Sequence, residues 1–307
     1  MYIQQIASNK AIFSACLLSS AGALVFNAFP QILTAIAVEY QLGEVQIGSL
    51  ISDYMGAFAL LALFAPFWMK FLPWKLASIA AYIVLGAGVV MLHQGGHDFI
   101  GTAMFIMGIG ASVLFSISVG VISIARDPDR GFGLKLTAEM ILGALLIFVV
   151  AKLVADKFGY DGFILGMLIL YLLTVPAIYW LPNKVSPTEK SSMIAPENTI
   201  TVKKFNWQAI FSAVALFLFF GAYTAVWSFA GHIGIAQGLS ESQISTVLTF
   251  ALLTGLVGAI FCAWLGQRYG HFKPLLLGMV LMNLCFFSLI YSENMMIFAI
   301  AICLING

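Results

Sequence analysis

The chain has 307 residues, of which 62% are hydrophobic and 9% charged, and its mean hydropathy is +1.02. A water-soluble domain of this size would have to expose that apolar surface to water, so the solvent of this protein is lipid. Formal net charge is +1 and Lys and Arg form no run, which excludes the electrostatic footprint of a nucleic-acid binder.

Crossing a bilayer takes about 20 apolar residues in a helix, because a helix satisfies its own backbone groups where water cannot. The first such stretch, 11–38, follows Lys10 and is much longer than a signal-peptide core, so it is a retained span. Asn27, Pro30 and Gln31 interrupt it. Span two, 46–69, carries Asp53 about seven residues from its outer end, roughly 10 Å deep. Gly48, Ser52 and Gly56 form a small-residue stripe on the same helix, suited to close helix approach. Span three runs 76–93. Span four, 99–125, places Gly108, Ser112, Ser116 and Gly120 at intervals of four, again a packing stripe before a solute contact. Span five, 134–154, holds Glu139 one turn after Lys135, close enough to pair on one face. Arg126 and Arg130 in the preceding loop are alternative partners. Span six runs 161–181.

The segment from Pro182 to Phe205 is rich in Pro, Ser, Thr, Lys and Glu and reads as a linker. Span seven, 207–236, carries Tyr223, Trp227 and His232; Trp227 also suits a membrane-interface anchor, and His232 near the outer end suits a solvated position. Span eight runs 243–266 and span nine 274–292. A tenth begins near Met295 with only 14 residues available from Asn294. The expectation is a chain that stops inside its tenth helix, with the parent protein continuing for roughly 90 more residues.

Lys and Arg are retained on the cytoplasmic side during insertion. With a cytoplasmic N-terminus, twelve lie on inner segments (Lys135 among them) and two, Lys152 and Lys157, on outer ones. Orientation is therefore N-terminus inside, in a bacterial inner (plasma) membrane. The four cysteines, Cys16, Cys262, Cys285 and Cys303, stand in apolar stretches without metal-ligand spacing, so no metal and no cofactor are expected. No paired nucleophile and base and no phosphate loop points to an enzyme.

An internal repeat divides the chain. LGEVQI (42–47) leads into span two and LSESQI (239–244) into span eight, an offset of 197 residues. The turn after span eight, Ala263-Trp264-Leu265-Gly266-Gln267-Arg268-Tyr269-Gly270-His271-Phe272-Lys273, resembles the loop motif Gly-x-Leu-x-Asp-Arg-x-Gly-Arg-Arg of the major facilitator superfamily. Leu265, Arg268 and Gly270 match in register, whereas Gln267 stands in place of the Asp and Ala263 in place of the first Gly. The matching turn at 65–75 is more degenerate, with Met69, Lys70 and Leu72 at the Asp, Arg and second Gly positions.

The resemblance covers the whole chain and implies an all-α membrane protein of two six-helix bundles rocking about a central site, the second bundle truncated in the tenth helix. It divides the sequence into a first bundle at 1–182, a cytoplasmic linker at 183–205 and an incomplete second bundle at 206–307. It also implies loop-motif gating by Arg268 and Gly270; the family's gating carboxylate is carried onto neither Met69 nor Gln267. Many family exporters have a Gly-Pro pattern in span five that is missing here, which weighs against drug/proton antiport.

The expected function is secondary active transport of a small organic solute, coupled to protons. Ionisable groups inside lipid are functional candidates by default, so Asp53 and Glu139 are the proton-coupling candidates. Asn27, Gln31, Tyr223, Trp227 and His232 supply the few polar groups and aromatic walls of a solute pathway. The expected partners are that solute, protons and the bilayer. The competing readings are a membrane receptor that binds without transporting, and an inactive remnant of a transporter.

Overall fold

The structure is a computed structural model describing residues 8–94, 96–149, 155–183, 207–269, 272–291 and 294–306. Its described residues form twelve α-helices and no strand. Seven helices among them are long and apolar enough to cross a membrane, and two further apolar helices are shorter.

Span one is two helices, α1 (Asn9–Asn27) and α2 (Phe29–Tyr40), separated at Ala28, with Pro30 in the first turn of α2. Proline is tolerated there because a first-turn amide has no helical partner to lose. Span two is α3 (Glu44–Leu63), extended by the single turn α4 (Ala65–Trp68). Then follow α5 (Trp74–Gln94), α6 (Ile100–Ser123), α7 (Pro128–Leu145) and α8 (Ala155–Thr174), which continues as a 3-10 helix over Val175–Trp180. The second part of the chain contributes α9 (Trp207–Ala236), α10 (Glu241–Tyr269), α11 (Phe272–Tyr291) and α12 (Met295–Asn306). Successive spans run antiparallel. Each of the ten sequence-predicted spans coincides with helix among the described residues, with bounds shifted by a few residues. Of the linker, 183–205, all but residue 183 lies outside the described residues.

α1 and α6 form the centre of the first part: α6 packs against α1, α3 and α5, and α1 against α6 and α7. Large apolar side chains such as Phe71, Ile83, Leu173, Phe217 and Tyr291 project outward, as expected where the surroundings are lipid. The end where α1 begins (the near end) is tied by Trp74 N–H to the Asn183 carbonyl at 2.8 Å and by Lys75 Nζ to the Tyr179 carbonyl at 3.0 Å. At the far end the hydroxyls of Tyr40 and Tyr160 both donate to the Leu92 carbonyl, each at 3.2 Å.

The repeat is visible in the backbone. Gln41 and Gly238, 197 residues apart, both adopt left-handed conformations, with φ of 52° and 83°. Leu42 N–H reaches the Ala37 carbonyl and Leu239 N–H the Gly234 carbonyl, both at 3.0 Å. Gln46 and Gln243 then reach back to the amides of Gly43 and Ser240, both at 2.9 Å, so α3 and α10 start with the same capping arrangement.

Two small-residue stripes fare differently. Gly108 lies against the Tyr54 carbonyl and Ala57 of α3, and Ser112 Oγ donates to the Phe58 carbonyl at 2.7 Å, so the α6 stripe is where α3 and α6 approach most closely. The α3 stripe does not pack: nothing lies within 4 Å of a side chain added at Gly48 or Gly56, and Ser52 bonds its own helix. The larger Ile47, Leu50, Tyr54 and Ala57 are buried instead, because they fill the interior and the small face cannot.

Gly108→Ala is expected to lower stability by about 1–3 kcal/mol through overpacking. Gly56→Ala, in open space, is expected to be neutral or to gain up to about 1 kcal/mol from helix propensity. Thermal unfolding in detergent reads both.

Candidate functional site

The site grows from the break in span one. Pro30 has no N–H, so the Phe26 carbonyl four residues earlier lacks its helical partner. In a membrane an unpaired carbonyl is costly. The indole Nε1–H of Trp227 fills that place, donating to Phe26 O at 3.1 Å from α9. Trp227 is 1% exposed, which places it in the interior and excludes the interface-anchor alternative.

Other contacts cluster around this bond. The Pro30 carbonyl accepts from Thr34 Oγ1 at 2.7 Å, and Gly231 of α9 rests directly on both groups: a Cβ there would stand 2.7 Å from the carbonyl and 2.6 Å from the hydroxyl. Only glycine permits that approach. Ser245 Oγ of α10 donates to Gln31 Oε1 at 3.2 Å. Tyr223 tilts against Phe26, ring centroids 6.5 Å apart, and its hydroxyl donates to Asn306 Oδ1 of α12 at 2.8 Å.

Asn27 links this region to a buried charge pair. Its Nδ2 donates to the main-chain carbonyl of Glu139 at 3.1 Å, while Gly143 on α7 lets the Asn27 side chain and Leu252 of α10 pack closely. The Glu139 carboxylate receives Lys135 Nζ at 2.6 Å, one turn earlier on α7, and the Ser19 hydroxyl of α1 donates to the same oxygen. The Lys135 ammonium also lies 4.0 Å from the centre of the Phe115 ring on α6, a cation–π contact. Both charged side chains are buried. Glu139 thus takes Lys135 in preference to Arg126 or Arg130. Lys135 itself, placed by the sequence among the loop cations, is an interior residue, leaving eleven on the inner segments.

Five of the sequence candidates, Asn27, Gln31, Glu139, Tyr223 and Trp227, therefore form one connected neighbourhood. Asp53 lies outside it. Half-buried on α3, its carboxylate faces Gly101 in the first turn of α6, where the helix dipole favours a negative charge. His232, next to Gly231, contacts the Phe229 ring edge-on at 6.2 Å, and its Nδ1 is buried without a partner among the described residues. The Arg268 side chain and all of Gly270 lie outside the described residues. Ser19, Phe115, Ser245 and Asn306 were missed by the sequence reading; only the Lys135–Glu139 spacing hinted at this layer.

A cavity of about 1030 Å³ opens at the near end. Its walls are the first turns of α1 (Ile12, Phe13, Cys16, Leu17) and the middle of α7 (Leu134, Thr137, Ala138, Ile141), with Arg126, Asp127 and Arg130 at the mouth. Asp127 Oδ1 accepts from the Arg130 main-chain N–H at 3.1 Å and so caps α7. The near half of α9, with Phe211, Phe217 and Leu218, is exposed, whereas its far half carries Trp227 and Gly231. Among the described residues, the contacts between the two parts lie at the middle and far levels.

The sequence model of the Major Facilitator Superfamily matches residues 11–307. Among solved structures, a variant of the nucleoside transporter NupG superposes with a TM-score of 0.69 at 15% identity, covering 96% of this chain and 79% of that one. FucP, a major facilitator transporter in the outward conformation, gives 0.58 at 16% identity, with 96% and 81% covered. The E. coli fucose:proton symporter FucP, as a variant, gives 0.57 at 16% identity, with 97% and 82% covered. No curated protein sequence matches the chain.

Trp227→Phe keeps the ring and removes the N–H. It is expected to cost about 1 kcal/mol, the loss of one buried hydrogen bond, read as a lower unfolding midpoint in detergent.

Proposed function

The chain belongs to the Major Facilitator Superfamily, a family of membrane transporters, and we propose that it is a secondary active transporter that moves a small organic solute by alternating access, coupled to protons. The observation that carries this reading is the asymmetry of its contacts. The two parts of the chain are held together around the Phe26–Trp227 bond and the Gly231 approach, while at the near end α1 and α7 of the first part line an open cavity large enough for a small solute. A protein open at one end and closed at the other is one member of the pair of states that alternating access requires.

In this reading residues 1–182 and 206–307 move against each other, joined by a cytoplasmic linker at 183–205. The near end faces the cytoplasm of a bacterial inner membrane, in keeping with eleven cationic residues on that side against two on the other. Asn27, Gln31, Tyr223 and Trp227 lie at the closure, where a solute entering from the near end meets amide, phenol and indole groups. His232 stands one turn further toward the far end. Arg268 and Gly270 belong to the loop motif that steadies the near end.

Glu139 is the first candidate for proton coupling. Its carboxylate has a cation, a hydroxyl and a cavity wall beside it, whereas Asp53 has only the α3–α6 seam. Uptake into proteoliposomes driven by an imposed pH gradient tests the proposal, with pooled sugars, organic acids, amino acids and nucleosides as solutes. One chemical class is expected to accumulate, and the same class at about 100 times its dissociation constant is expected to stabilise the protein by roughly 2.7 kcal/mol. Asp53→Asn with Glu139→Gln is expected to abolish the pH-driven component. Unchanged pH-driven uptake in that double variant would remove proton coupling from the account.

A further inference from the structure

We propose that the transported solute is an organic anion carrying one carboxylate, that Lys135 binds this group, and that Glu139 is its exchangeable counter-ion. The proposal rests on the proton-coupled transport reading above and adds the charge of the solute, the residue that selects it and the stoichiometry.

The argument starts from cost. Burying two charges is expensive, and a pair of apolar side chains would hold α1, α6 and α7 together at least as well. Here Lys135 and Glu139 are 7% and 5% exposed inside a membrane helix. Each charge is held from both sides: the ammonium lies between the Glu139 carboxylate at 2.6 Å and the Phe115 ring at 4.0 Å, and the carboxylate lies between that ammonium and Ser19. Both partners of the carboxylate meet Oε1. That leaves Oε2 as the place for a proton.

The pair stands one layer behind the cavity wall. Leu134 and Ala138, immediately before Lys135 and Glu139, line the cavity, as does Cys16, one turn from Ser19. At the mouth stand Arg126 and Arg130, and Asp127, the one carboxylate among the described residues that line the cavity, is engaged in capping α7. An anion entering by this route meets positive charge first and a buried ammonium last.

Charge balance sets the rest. In the present state the pair is neutral, so a neutral solute could load with no proton, and an anion could not load without leaving an uncompensated negative charge in lipid. If Glu139 takes a proton on Oε2, one O–H bond forms and the carboxylate becomes a neutral acid. The Lys135 ammonium then exchanges its Glu139 ion pair for one with the solute carboxylate. One proton and one anion have entered and the site is neutral again, so the loaded carrier moves no net charge.

The groups facing this exchange are few. α1 contributes Ser19 and the Cys16 thiol, with Lys10 at its exposed start, and α7 carries Arg130 at its own first turn. α6 has no titratable side chain along its length, and neither does the stretch of α10 from Gln243 to Gly258 that packs on α7.

The test uses the chain in proteoliposomes with an inward proton gradient, and with membrane potential clamped at zero or at an imposed negative value by potassium and valinomycin. The probes are gluconate, glucuronate, lactate and benzoate against glucose, glycerol and uridine. At least one carboxylate is expected to accumulate with the proton gradient at a level independent of potential, where one uncompensated charge would shift accumulation about fifty-fold per 100 mV. Lys135→Gln with Glu139→Gln keeps the interior neutral and the shape close. It is expected to unfold at the same temperature as the wild type or higher, and to lose carboxylate uptake by about tenfold or more.

Accumulation of a neutral probe alone, or carboxylate uptake that survives in the double variant, overturns the anion proposal and leaves the transport reading standing. Uptake of neither class by folded protein overturns both. Lys135→Gln alone leaves Glu139 without its cation; loss of uptake there with the protein still folded supports the assignment, and full retention contradicts it.

Discussion

Pro30 has no amide hydrogen to give, and the carbonyl it leaves without its helical donor, at Phe26, is where the two parts of the chain meet. In water that carbonyl would bind solvent and the break would be inconsequential. In lipid it needs a partner from the protein, and Trp227, 201 residues away, supplies one at 3.1 Å. Around this bond the contacts accumulate: Gly231 against the Pro30 carbonyl, Ser245 against Gln31, Tyr223 against Phe26. A single defect in a helix thereby fixes the level at which the protein closes.

The same rule governs the charged groups. Lys135 and Glu139 are tolerated because each is the other's counter-ion, with Ser19 and Phe115 completing the enclosure. Asn27 ties this pair to the α2–α9 contact through the Glu139 carbonyl, so in the proposed cycle loading at the pair and parting of the bundles would share an element, α7. That is the physical basis on which ion binding and conformational change are coupled in this account: two discrete packings joined by a short run of contacts.

Much of the architecture was legible in the sequence because its signals are local. Span count follows from apolar run length, and the alternation of Lys and Arg guards against a miscount. The 197-residue repeat was visible as LGEVQI and LSESQI and reappears as identical turn and capping bonds at Gln41–Gln46 and Gly238–Gln243. What stayed hidden depends on which face of a helix meets which neighbour. Gly48, Ser52 and Gly56 have the spacing of a packing stripe, yet α3 turns Tyr54 and Ala57 inward. Lys135 sits beside a loop in sequence and counts as a surface cation until the fold places Phe115 over it. Ser19, Ser245 and Asn306 are unremarkable small polar residues in sequence; their roles come from partners 83 to 214 positions away. Asp53 illustrates the converse: a carboxylate in an apolar span is conspicuous, but its place on the α3–α6 seam is set by Gly101, which no local pattern announces.

In the proposed transport cycle the α2–α9 contact closes the far end while the near end stays open, and thiol accessibility reads the difference. Ile12→Cys on the near-end cavity wall and Thr34→Cys beneath Gly231 would each be placed in a chain from which Cys16, Cys262, Cys285 and Cys303 have been removed, and treated with a membrane-impermeant maleimide from both sides of the membrane. The account predicts rapid modification of Ile12→Cys and protection of Thr34→Cys. Equal reactivity at the two positions would contradict it, because Thr34 would then face water rather than the Gly231 backbone.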